Sequence, residues 1–111
     1  MGRSLIDALT ERLAGEPAVL EAVDATQGSA PREAGAWMAV FAQALVGSVG
    51  GGHLEFDAIA IARRALAGEA IVPLHRFALG PLLGQCCGGV VHLRFEALQA
   101  ADAAPVRARL Q

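Results

Sequence analysis

Three segments rich in glycine and proline interrupt the chain and limit what it can fold into. They cover residues 27–35, 50–52 and 80–89. Because glycine and proline break helices and strands, only short regular elements fit between these segments. The whole sequence has 111 residues, a length typical of one domain. The segments therefore predict a single small domain whose elements are joined by several turns.

Helical periodicity is found in two parts of the sequence. Leu5, Leu9 and Leu13 repeat at helical spacing behind Ser4, a residue type that favours the N-cap position. The second predicted helix covers His53–Ala67 and ends at Gly68, as expected for a glycine just beyond a helix. Near the C-terminus, residues 104–110 fit either a closing helix or a linker.

Short apolar or alternating segments predict about five strands. The second and third form a hairpin around residues 42–43, and Pro73 favours an edge position for the fourth. Together with two or three helices, they predict an α+β fold built on a small mixed sheet. The predicted strands are Ala18–Ala25, Trp37–Phe41, Ala44–Val49, Ile71–Ala78 and Val90–Phe95.

Charge and hydropathy exclude two classes of partner. The net charge is −2, which argues against a protein that binds nucleic acid through phosphate contacts. The longest uncharged stretch, residues 34–54, is broken by several glycines and is not a membrane span. No signal peptide precedes the first predicted helix. We therefore expect a cytoplasmic protein.

The second glycine-rich segment has features of an anion site. Gly50, Gly51 and Gly52 run into the predicted helix start at His53, so successive N–H groups and the helix dipole could face one anion. A tight strand-to-helix turn explains the same residues without a ligand. Two roles are open for Glu55, which can cap this helix or pair with an arginine.

Adjacent thiols mark the third segment. Cys86 and Cys87 lie between glycines, and neighbouring cysteines do not form an ordinary disulfide, so we expect reduced thiols. Such thiols can be nucleophiles, sulfur carriers or soft-metal ligands, or simply small buried residues. A structural zinc site is disfavoured, because His53, His75 and His92 have no regular ligand spacing. We expect His75 and His92 to be half-exposed sheet residues.

All three segments together resemble the XdhC/CoxI family, which comprises accessory factors of xanthine dehydrogenase and related molybdenum hydroxylases. The motifs are GSxPR from Gly28, GxxGGGHLE from Gly47, and LGxxxGQCCGG from Leu79, followed by a VxLxF strand. The resemblance extends from about Val19 to Glu96. It implies a maturation factor that acts as a chaperone for a cofactor rather than as an enzyme with its own substrate.

The resemblance also implies a cargo and a set of site residues. Family members bind the molybdenum cofactor, in which molybdopterin carries Mo, and support the exchange of an oxo for a sulfido ligand on Mo. The family's cofactor-binding positions correspond here to Ser29, Arg32, Gly50, Gly51, Gly52, His53, Glu55, Gln85, Cys86, Cys87 and Gly88. Within this set, Cys86 and Cys87 are the candidates for sulfur handling and for contact with Mo.

Partners and domain organisation follow from the same resemblance. It implies a cysteine desulfurase as sulfur donor and an apo-hydroxylase as acceptor. We expect residues 1–111 to correspond to the N-terminal module, without the C-terminal Rossmann-like domain of longer members. A Rossmann-like partner chain or a homodimer would then complete an open site. The alternative function is a small cysteine-dependent sulfurtransferase or thiol redox protein.

Overall fold

The computed structural model describes residues 4–28, 35–79 and 89–111. Helix α1, Leu5–Leu13, is followed by strands β1 (Ala18–Gly28), β2 (Trp37–Val40) and β3 (Leu45–Gly47). Helix α2, Gly52–Leu66, leads to strands β4 (Leu74–Leu79) and β5 (Gly89–Leu98). A short 3₁₀ turn, Ala100–Asp102, then precedes helix α3, Ala103–Leu110. The predicted α+β class is confirmed, with five strands and three helices in the described residues.

The sheet has the order β3-β2-β1-β5-β4, and each of the strand pairs described is antiparallel. The expectation of a mixed sheet was therefore wrong. Helix α2 connects β3 to β4, and the two strands run in the same direction, as expected for a helical crossover. They lie at opposite edges of the sheet, however, so they are not neighbours and form no parallel pair.

Local signals fixed the ends of several elements. The Ser4 hydroxyl accepts a hydrogen bond from the Asp7 N–H at 3.0 Å and caps α1. The β2–β3 hairpin turns at residues 42–43, and Phe41 N–H donates to the Ala44 carbonyl across the turn at 2.9 Å. Gly68 has φ +113° just after α2. Strand β4 lies at an edge, as Pro73 predicted.

Each face of the sheet has its own hydrophobic core. Helix α2 covers one face through Leu54, Ala58 and Ala62, which pack on Val19, Val23, Met38, Val91 and neighbouring residues. Helices α1 and α3 cover part of the other face, where the buried side chains are Leu9, Leu13, Ala18, Leu20, Ala39, Phe41, Leu98 and Val106. The central strand β1 contributes alternate residues to both cores, as the twofold period of a strand requires.

None of the described helices is long and apolar enough to cross a membrane.

Candidate functional site

The first and third glycine-rich segments attach at one end of the sheet, and the second leaves the sheet in the same direction from Gly47, which is level with Glu21. Gly28 at the end of β1 is the register partner of Gly89 at the start of β5, and Leu79 at the end of β4 pairs with the same glycine. Strand β3 runs in the same direction as β1, so the glycine-rich loop that follows it leaves the sheet toward this end. The strands that precede the three motifs therefore all run in one direction.

Six of the predicted site residues lie outside the described residues. These are Ser29, Arg32, Gln85, Cys86, Cys87 and Gly88. The described part of the predicted site is the loop of residues 48–51, here called the glycine-rich loop, together with the first turns of α2.

Glycine is required around this loop by backbone conformation. Gly50, Gly51 and Gly52 all have positive φ angles, of 130°, 76° and 67°, which residues with a Cβ rarely adopt. Gly47 has φ +86°, and a Cβ built there would lie 2.5 Å from the carbonyl oxygen of Trp37. The chain can enter the loop beside β2 only because position 47 has no side chain.

The N–H groups of the loop converge on a carboxylate oxygen of the chain itself. Glu55 Oε2 accepts hydrogen bonds from the Ser48 hydroxyl at 2.7 Å, the Gly51 N–H at 2.9 Å and the Val49 N–H at 3.2 Å. The Ser48 hydroxyl in turn accepts from the Gly50 N–H at 3.2 Å. We call this arrangement the Glu55 clasp. It decides between the two roles considered for Glu55, because the residue caps the loop and the start of α2.

Hydrogen bonding outweighs burial in setting the charge of Glu55. Desolvation alone raises the pKa of this carboxyl, but the bonds from Ser48 and from the backbone of Gly51, Val49 and Gly50 together lower it below its ordinary value. Glu55 is therefore an anion at neutral pH. The loop thus has the geometry of an oxyanion site, and its occupant in this conformation is Glu55.

Strand β1 carries, level with Gly47, a residue that the sequence reasoning missed. Glu21, in the middle of β1, is 0% exposed, and neither of its carboxylate oxygens has a hydrogen-bond partner among the described residues. Desolvation, followed by the negative charge of Glu55, raises its pKa to about 8. The sequence did contain a signal, since Glu21 falls between Val19 and Val23 on the face that alternation assigns to the core.

The outer side of the first turns of α2 is open. His53 is exposed, as is Phe56, whose side chain is 73% exposed. With Gly52 and Asp57 these residues line a shallow surface depression. Phe56 was not among the predicted site residues, although an apolar side chain three positions after His53 shares its side of the helix.

The two sheet histidines lie away from the clasp. His75 and His92 are both half-buried, as expected. The His75 ring centroid is 4.7 Å from that of Phe95. Among the described residues, no three histidine, cysteine or acidic side chains come close enough together to hold a metal ion.

Together, these features define an α+β sheet domain whose glycine-rich loop, formed between a strand and a helix, binds a carboxylate. Its sequence matches the profile of the XdhC and CoxI family over residues 12–78. The chain belongs to this family, because the match covers more than half of its length.

A solved structure shows the same fold within a longer chain. This is the crystal structure of a protein described as a xanthine dehydrogenase from Bacillus halodurans, which matches with a TM-score of 0.68 and 24% sequence identity. The match covers 97% of this chain and 35% of that one, so the present chain spans about a third of the longer protein. No curated protein sequence matches.

Proposed function

We propose that this protein is an accessory factor of a xanthine dehydrogenase-type molybdenum hydroxylase and that it carries the molybdenum cofactor as cargo. Family membership supports this role. The structural observation that supports it is that the strands before the three motif segments run in one direction, with Gly28, Leu79 and Gly89, which border the first and third segments, side by side. Segments far apart in sequence can thereby contribute to one binding site.

The glycine-rich loop is suited to bind the phosphate end of such a cargo. Its N–H groups already bind an oxyanion, because they hold the Glu55 carboxylate. Helix α2 begins beside them, and a helix N-terminus favours negative charge. Molybdopterin ends in a phosphate, so Gly50, Gly51, Gly52 and His53 are the residues we assign to that group.

The remaining site residues are assigned by their chemistry. Gln85 offers a donor and an acceptor to the pterin edge, and Arg32 a planar cation to an anionic group. We propose Ser29 and Gly88 as further contacts at the turns of their motifs. Cys86 and Cys87 are proposed to handle the sulfur that a cysteine desulfurase supplies, before the cargo passes to the apo-hydroxylase.

The test is the molybdenum and pterin content of the protein purified from cells that make the cofactor. We expect both components on the wild type and a loss of at least tenfold in the Cys86→Ser/Cys87→Ser variant. Arg32→Ala should lose cargo too, whereas Arg64→Ala, the same change at an exposed ion pair with Glu69 near the far end of α2, should retain it. Wild-type protein without molybdenum or pterin, alone and together with a Rossmann-like partner chain, would refute the carrier function.

A second measurement separates the carrier from a thiol enzyme. A nucleophilic cysteine has a pKa well below the ordinary value for a thiol. If Cys86 or Cys87 titrates in that low range and turns over a sulfur donor without cargo, the sulfurtransferase alternative is favoured.

A further inference from the structure

The burial of Glu21 has no explanation in the packing of the core. Its two register partners are Met38 on β2 and Phe95 on β5. Neither side chain carries a charge that could pair with the Glu21 carboxylate. A buried carboxyl without a hydrogen-bond partner destabilises a fold. An apolar residue at this position would complete the core that contains Val19 and Val23.

Among the described residues, one charged group acts on Glu21, and it is the carboxylate that holds the glycine-rich loop. Glu21, Met38 and Gly47 are register partners across β1, β2 and β3, so Glu21 is level with the start of the loop that Glu55 holds. The negative charge of Glu55 disfavours ionisation of Glu21.

His75 on β4 contacts Phe95 on β5. Because β5 lies between β4 and β1, His75 is separated from Glu21 by one strand. Among the described side chains, ionisation of Glu21 therefore acts chiefly on Glu55.

We propose that loss of the Glu21 proton opens the Glu55 clasp: repulsion between the two carboxylates then breaks the hydrogen bonds that the glycine-rich loop donates to Glu55. In the closed conformation the N–H groups of Val49 and Gly51 are occupied by Glu55. In the open conformation they are free to bind an oxyanion from outside the chain. This last consequence rests on the proposed function, but the opening itself does not.

Proton linkage gives the expected size of the effect. Glu21 is protonated in the closed state at neutral pH, because its pKa is about 8 there. If opening admits water to Glu21, its pKa falls toward the ordinary value, and the open population rises tenfold for each pH unit until about pH 8. Above that pH both states are ionised, and the population levels off.

Hydrogen exchange measured by mass spectrometry tests the opening of the Glu55 clasp in the protein without any ligand. Exchange of a peptide covering residues 47–54, corrected for the intrinsic pH dependence, should rise about tenfold per pH unit from pH 6 to 8 and then level off. In Glu21→Gln this dependence should be absent. A peptide from α1 reports opening of the whole fold, which has the same dependence on Glu21, and it should exchange far more slowly than the loop at every pH.

Three further measurements complete the test. Glu96→Gln removes a charge from an exposed pair with Arg109 and should keep the wild-type profile. Glu55→Gln should give rapid loop exchange at every pH. In the wild-type protein, NMR signals of the Val49 and Gly51 amides should titrate together with the Glu21 carboxyl, a readout that does not depend on the folding of a variant.

The proposal is overturned if Glu21→Gln keeps the wild-type pH profile or if the loop exchanges no faster than α1. It is equally overturned if the Val49 and Gly51 amides do not follow the titration of Glu21. None of these outcomes involves the molybdenum cofactor, so failure here is separate from failure of the carrier function.

Discussion

At the scale of single residues, Glu21 dominates the pH dependence of stability. Its pKa is about 8 in the folded protein against an ordinary value of 4.5. Between these values the folded state keeps a proton that the unfolded state has lost. The contribution of Glu21 to stability is therefore full below about pH 4.5 and declines as pH rises toward 8.

We predict that the free energy of unfolding of the wild type falls between pH 5 and 8, by up to about 1.4 kcal/mol per pH unit from this group. Glu21→Gln should flatten the profile. Glu21→Met should also raise stability at pH 8, because an apolar side chain of similar size replaces a buried carboxyl. Urea unfolding at several pH values measures this, with Glu96→Gln as control. A wild-type profile that is flat from pH 5 to 8 would contradict the assignment.

A second prediction at the residue scale concerns backbone conformation. Gly47→Ala should destabilise the fold by at least about 2 kcal/mol, because it adds a clash with a fixed backbone atom to the strain of a positive φ. The matched change Gly68→Ala also falls on a positive φ, but its Cβ would meet nothing within 4 Å. We expect it to cost about 1 kcal/mol. Equal losses of stability in the two variants, measured by urea unfolding, would show that the contact with Trp37 is unimportant.

At the scale of elements, the junction of β3 with α2 depends on the Glu55 clasp. Helix α2 has Gly51 at its N-cap, and no side chain of the cap residue itself holds the helix start. Glu55 supplies that function from within the helix through three hydrogen bonds. The stability it provides is present above the ordinary pKa of a glutamate and is lost as pH falls through its lowered pKa.

We therefore predict that Glu55→Ala lowers the free energy of unfolding at pH 7 by about 2 to 3 kcal/mol, since it leaves charge-assisted donors without a partner. Ser48→Ala should cost about 1 kcal/mol, because it removes one of the three bonds. Chemical denaturation at pH 7 and pH 3 measures both. The difference between wild type and Glu55→Ala should shrink at pH 3; a difference that is the same at both pH values would argue against an ionised clasp.

At the scale of the whole molecule, one sheet joins two cores. Strand β1 contributes Val19 and Val23 to the core under α2, and Leu20 to the core under α1 and α3. The C-terminal helix is tied to the N-terminal one by Arg107, which donates to Asp7 at 2.6 Å and to Thr10 at 2.9 Å. Loss of either core should therefore disrupt the other.

We predict a single unfolding transition even when one core is weakened. Leu9→Ala, in the core under α1, should cost about 2 to 4 kcal/mol, whereas Leu5→Ala, at a side chain that is 56% exposed, should change stability by less than about 0.5 kcal/mol. Trp37 fluorescence and far-UV circular dichroism should give coincident curves for Leu9→Ala. Two separate transitions would show that the cores fold independently.

The sequence alone determined those features that depend on neighbouring residues. Ser4 capping α1, Gly68 ending α2, the turn at residues 42–43 and the edge position of β4 all follow from local preferences of backbone and side chain. The family could also be predicted from the sequence, because its motifs are short runs of residues that can be recognised without knowing the fold. These features require no information about contacts between distant segments.

Only the tertiary structure decided the order of the strands and the partners of the glutamates. A crossover helix predicts the direction of the next strand but not the edge it joins, so the sheet is antiparallel where a mixed one was expected. The same limit applies to Glu21 and Glu55. Their separation in sequence gives no sign that the charge of Glu55 acts on Glu21, and the pKa of Glu21 depends on that interaction and on burial. Long-range packing decides both properties, because desolvation and charge repulsion act through space and not along the chain.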